Sequence, residues 1–159
     1  MNALHASPQT SSARPEITAA LTARTGLDEA VLEDVVRRFY GRVRADPLLG
    51  PVFAARITDW EPHFATMVRF WSSVALMTGR YHGAPLPLHL PLPVGGAHFE
   101  RWLALFRWTA RELCSPQGAD WLIERAERIA HNMLANIERA RARARPAPPA
   151  RPFPTRRPT

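Results

Sequence analysis

Lysine is missing from this 159-residue chain: every one of its 21 basic residues is Arg. Cysteine occurs once, as Cys114, which excludes an intrachain disulfide and a cysteine-based zinc cluster. No apolar run approaches the ~20 residues of a membrane-spanning helix. Residues 1–14 are polar, rich in Ser, Thr and Pro, and carry no signal-peptide core. A cytoplasmic protein with no membrane partner is the expectation. There is also no Gly-rich phosphate loop, no His-Glu-x-x-His pair and no Ser in an elbow motif. Phosphate-cradling, zinc-protease and α/β-hydrolase chemistry therefore have no support in the sequence.

The formal charge of +7 suggests a polyanion partner until it is located. Up to Glu138, 14 Arg balance 14 acidic residues; from Arg139 onward, seven Arg stand with no acid. The excess belongs to the C-terminal tail and the remainder is near neutral, which argues against nucleic acid as a partner of the domain. Most of the 16 prolines gather at the two ends and between Pro85 and Pro93. Dense proline removes backbone donors and stops helices. Residues 1–15 are thus expected to be a disordered leader, 143–159 a disordered Arg/Pro-rich tail, and 16–142 the folded unit. That unit has the length of one domain.

Within the unit the apolar period is helical. Ile17–Thr25 reads as a lead-in helix ended by Gly26. Asp28 suits the N-cap of a helix carrying Val31, Val35, Phe39, Tyr40 and Val43. A short turn starts at Asp46-Pro47. Thr58-Asp59-Trp60-Glu61 has the spacing of a capping box, and the helix it opens, with His63, Met67, Phe70 and Val74 on one face, is expected to run to Gly79. Helix resumes after Gly95-Gly96 with Phe99, Trp102, Leu103 and Phe106. Ser115-Pro116 opens the last helix, whose stripe runs from Leu122 to Ile137. Five or six helices without a credible strand predict an all-α fold.

One connection does not fit a solvated loop. Residues 83–96 hold prolines at 85, 87, 91 and 93, yet also Leu86, Leu88, Leu90, Leu92 and Val94, with His89 among them. Something apolar should pack against this stretch. Taken singly, each chemistry-bearing residue has a plain explanation. A lone His is usually solvated or hydrogen-bonded, and Tyr40, Met67, Phe70 and Trp102 at helical spacing are usually core. His82 and His98, beside Gly and polar residues, read as surface. Isolated histidines among aromatics and Leu nevertheless suit a flat apolar cofactor clasped between helices, with one imidazole reaching its metal.

The runs Phe39-Tyr40, Asp46-Pro47-Leu48-Leu49-Gly50-Pro51-Val52-Phe53, Trp60-Glu61-Pro62-His63, Arg69-Phe70-Trp71 and Phe99-Glu100-Arg101-Trp102-Leu103 frame a Tyr-x-Gly-x-Pro-Leu-x-x-His motif from Tyr81 to His89. In this order they resemble the group III truncated haemoglobins, a bacterial globin branch, over about residues 32–137. The resemblance implies a two-over-two helical sandwich around haem b (iron protoporphyrin IX). It implies His89 as the iron ligand, with Phe53, His63, Met67, Phe70, Leu86 and Trp102 against the cofactor. Tyr40, His63 and Trp102 would face a bound gas: dioxygen, carbon monoxide or nitric oxide. It also leaves open a nitric oxide dioxygenase or peroxidase-like activity, which would need an external reductase because the chain has no flavin or nicotinamide motif. Arg56, Arg80 and Arg101 are candidates for the haem propionates. A cofactor-free helical module with an anion-binding tail is the contrasting reading, and a colourless purified protein would select it.

Overall fold

The structure, a computed structural model, describes residues 11–85, 89 and 92–149. Six helices are delimited: α1 (Pro15–Thr25), α2 (Glu29–Ala45), α3 (Gly50–Ala54), α4 (Trp60–Leu76), α5 (Gly96–Leu113) and α6 (Pro116–Ala144), and Pro85 and His89 are also helical. Among the described residues there is no strand.

Local signals set most of the helix ends. Gly26 takes the left-handed conformation (φ 72°) that closes α1. The Asp28 carboxylate accepts the Val31 amide at 2.9 Å and caps α2, a contact worth about 1 kcal/mol. Ser115 does two things at once: its hydroxyl accepts the Gly118 amide at 3.1 Å, capping α6, and donates to the Thr25 carbonyl at 2.9 Å. The start of α6 is thereby tied to the end of α1. Gly118 makes this crossing possible, because a Cβ there would lie 2.6 Å from the Thr25 carbonyl oxygen.

Two ends differ from the sequence expectation. Thr58 and Glu61 form no capping box; Asp59 precedes α4 and makes no side-chain cap. Glu61 is instead taken by Arg37 of α2, in a two-pronged pair at 2.9 and 2.8 Å. And α4 stops at Leu76, not at Gly79. Met77 adopts the left-handed conformation (φ 55°) because the chain must turn early to pair the buried hydroxyls of Ser72 and Thr78 at 2.8 Å.

Packing closes a ring of four long helices. α2 lies against α4, α5 lies against α6, and the two pairs meet through α2 on α5 and α4 on α6. This is the two-over-two arrangement, with α1 laid across α4 and α6. Each helix buries one stripe, as an amphipathic helix in a bundle must. Phe39, Phe106, Leu76 and Leu122 are fully buried where the stripes converge. Residues 12–14 also bond to this body: the Ala13 amide donates to the Thr78 carbonyl at 3.0 Å, and Ser12 shares a hydroxyl bond with Thr18. No described helix is long and apolar enough to cross a membrane.

Candidate functional site: an apolar cavity with two facing histidines

The stripes do not fill the whole interior. Between α2, α3, α4, the 77–95 connection, α5 and α6 lies a cavity offering about 190 Å³ to the centre of a water molecule. A single water needs roughly 10–15 Å³ on that measure. The walls are almost entirely apolar, and interiors are otherwise close-packed. A void of this size and lining is built for a large apolar guest.

The sequence-predicted site residues meet there. Tyr40 comes from α2, Phe53 from α3, His63, Met67 and Phe70 from α4, His89 from the connection and Trp102 from α5, and all of them line the cavity. Leu86 lies outside the described residues. Tyr40 is 3% exposed. Its ring is held edge-on by His63 (centroids 4.8 Å apart), Phe53 (5.9 Å) and Phe39 (5.0 Å). Burial pushes its phenol well above the usual range, so the hydroxyl keeps its proton. No described group adds a hydrogen bond to that shift.

The two imidazoles differ in what they already bind. His89 Nδ1 lies 2.6 Å from the Pro85 carbonyl oxygen. A carbonyl only accepts, so Nδ1 carries the proton and Nε2 keeps its lone pair. His63 is the opposite case: its Nε2 is buried without a hydrogen-bond partner. Burial first, then the nearby His89, lowers its pKa and favours the neutral ring. A buried polar atom left unpaired costs about 1–3 kcal/mol, so His63 Nε2 is available to a molecule in the cavity. One imidazole with a free lone pair, an orphaned second one and an apolar wall together fit a flat metal-bearing macrocycle.

Other residues line the cavity beyond the contacts expected from the sequence. His98, expected at the surface, is half-buried and lines the cavity; its Nδ1 accepts the Gly95 amide at 3.2 Å and so caps α5. The correction has a local cause, since the open N-terminus of α5 draws the nearest acceptor inward. Tyr81 lies edge-on to Phe70 at 5.2 Å and covers Gly83, where a Cβ would sit 2.5 Å from its hydroxyl. Ile129 and Met133 of α6, one turn apart, close the far wall. Of the three arginines considered for propionates, Arg80 pairs with Glu29, and Arg101 donates to Asp46 at 2.6 Å. Arg56 is exposed.

Comparison with known proteins gives a consistent result. The family described as bacterial-like globin matches residues 21–135. The group 3 truncated haemoglobin ctb of Campylobacter jejuni is 33% identical, over 68% of this chain and 91% of the relative. The group 2 truncated haemoglobin YjbI of Bacillus subtilis is 29% identical, over 70% and 87%. The crystal structure of a group III truncated haemoglobin from Campylobacter jejuni superposes with a TM-score of 0.66 at 31% identity, covering 70% of this chain and 91% of that one. A thermostable haemoglobin from Thermobifida fusca gives 0.56 at 25% identity, covering 67% and 89%.

Proposed function

The chain belongs to the bacterial-like globin family, and on that premise we propose that it binds haem b in the apolar cavity, through His89, and holds a diatomic gas beside Tyr40. The observation that carries this reading is the bond from His89 Nδ1 to the Pro85 carbonyl, which favours the tautomer whose Nε2 lone pair is free to bind a metal. Metal-binding histidines are oriented by such a partner on the other nitrogen.

When bound, haem would supply an iron able to take dioxygen, carbon monoxide or nitric oxide. The rest falls to the chain. His89 would hold the metal. Phe53, Met67 and Phe70, which line the cavity, would exclude water from the cofactor. The Tyr40 hydroxyl, kept protonated by burial, can donate a hydrogen bond to the outer atom of the gas. The Trp102 indole N–H, from α5, is a second donor at the same cavity. His63, neutral and unpartnered, can supply a third hydrogen bond or, in the absence of gas, its own Nε2.

The test is loading with haemin. The wild type should give a Soret band that carbon monoxide shifts after reduction. His89→Ala should lose the band's ferrous signature and most of the haem, while its far-UV helix signal stays unchanged; added imidazole should restore the signature. Haem retained in His89→Ala with an unaltered spectrum would remove His89 from the role and the reading with it.

A further inference from the structure

We propose that Arg141, on a part of α6 that lies beyond the family match, positions the connection that carries His89. The proposal rests on His89 as the haem ligand and extends it to the element that holds the ligand in place.

The family match ends at residue 135, whereas α6 continues to Ala144. This continuation is anchored: Ile137 is fully buried. Arg141 follows Ile137 by four residues, one turn on along the same face. From there its guanidinium reaches back to the connection. Nη1 donates to the Val94 carbonyl at 2.6 Å and Nη2 to the Leu92 carbonyl at 2.7 Å. The two distances are short, as charge-assisted bonds are.

Pro91 and Pro93 have no N–H and cannot donate a backbone bond within the connection. The described residues from His89 onward form a short relay. The Leu92 amide donates to the His89 carbonyl at 3.0 Å, and the Val94 amide to the Leu92 carbonyl at 2.9 Å. Arg141 grips the far end of that relay, at the carbonyls of Leu92 and Val94, and Leu92 and Val94 themselves line the cavity. His89 thus sits between its own bond to the Pro85 carbonyl and the stretch that Arg141 ties to α6 through Leu92 and Val94. The planar fork presents two nitrogens to two separate carbonyls in fixed geometry, whereas lysine carries its donors on one nitrogen at the end of a flexible stem.

The test compares Arg141→Ala and Arg141→Lys with Arg139→Ala. Arg139 lies on the same helix and contacts Asn136, so its variant removes equal charge without touching the connection. In the haem-loaded protein, Arg141→Ala should speed haem transfer to an excess of apomyoglobin about tenfold, as expected for loss of charge-assisted hydrogen bonds. It should also broaden or shift the iron–histidine stretching band of the ferrous form in resonance Raman spectra. Arg141→Lys should fall between, and Arg139→Ala should match the wild type. An Arg141→Ala protein with wild-type haem loss and an unchanged stretching band would overturn the proposal, as would an equal effect in Arg139→Ala. Amide exchange in the haem-free protein separates this proposal from the haem reading. Faster exchange at Leu92 and Val94 in Arg141→Ala supports the clamp even if the wild type takes up no haem. Unchanged exchange refutes it whether or not haem binds.

Discussion

Replacing Tyr40 by Phe isolates one hydroxyl. The Tyr40 contacts with Phe39, Phe53, Trp60, His63 and Phe64, at centroid separations of 4.8–6.0 Å, are all made by the ring and survive the change. What disappears is a donor aimed into an apolar cavity. A hydrogen bond to a group carrying charge contributes about 1.5–3 kcal/mol, and each decade of affinity corresponds to about 1.4 kcal/mol. Tyr40→Phe should therefore release dioxygen about ten- to a hundredfold faster. Stopped-flow displacement of dioxygen by carbon monoxide measures this directly. Carbon monoxide, less polar when bound, should be lost only slightly faster. The haem-free protein should respond little. There the Tyr40 side chain lines the cavity, and the ring contacts that hold it are kept, so the change should leave thermal stability within about 1 kcal/mol of wild type. Because burial holds the phenol protonated, the effect on release should also be flat between about pH 5 and 9. A release rate within about threefold of wild type, less than about 0.7 kcal/mol, would show that Tyr40 does not bond the gas.

The other predictions concern the frame. Met77→Gly should stabilise the protein by about 0.5–1 kcal/mol in urea unfolding, since the left-handed φ of 55° strains a side chain that is already 42% exposed. Gly118→Ala should destabilise it by about 1–3 kcal/mol, because the new methyl meets the Thr25 backbone oxygen at 2.6 Å at the α1–α6 crossing. Asp46 accepts the Leu48 and Leu49 amides at 3.1 and 3.0 Å and Arg101 at 2.6 Å. Burial alone would raise its carboxyl, but these donors outweigh it and hold the pKa below the ordinary value. Asp46→Asn should thus cost about 1–2 kcal/mol at pH 7. A lowered folded-state pKa stabilises above the unfolded value near 4 and is lost as pH falls through the folded one. The gap between wild type and Asp46→Asn should accordingly close on acidification below about pH 4, and a constant gap would contradict the assignment.

What the sequence made legible follows from how far each interaction reaches. Gly26, Asp28 and Ser115 act on backbone groups within three or four residues, and each ends or starts a helix where a local reading places it. Thr58, Glu61 and Gly79 carry local signals of equal quality and are overruled. Arg37, 24 residues away from Glu61, takes its carboxylate, and the buried Ser72–Thr78 bond turns the chain before Gly79. The cavity repeats the pattern. A motif of ordered residues around His89 leads to Tyr40, His63 and Trp102, because a family resemblance carries long-range information that periodicity lacks. His98 reads as a surface residue and Met133 as part of the last helix's apolar stripe. Each reaches the cavity through the meeting of elements distant in sequence, and neither has a marker of its own.

Phe39 and Tyr40 show why this cavity stays open. The two are adjacent on α2, yet Tyr40 faces the cavity while Phe39 is 1% exposed in the core. Phe39 meets Tyr40, Trp102 and Phe106 edge-on at 5.0, 5.3 and 5.4 Å. Phe106 in turn stacks on Trp102 and Trp71, at interplanar angles of 10° and 26°. Three walls of the cavity, Tyr40, Trp71 and Trp102, are therefore backed by two fully buried phenylalanines. Side chains supported from behind in this way cannot swing inward without opening a void in the core, which the density of protein interiors resists. The donors Tyr40 and Trp102 are thus held by the same packing that stabilises the fold, and the pocket is a property of the core as much as of the residues that line it.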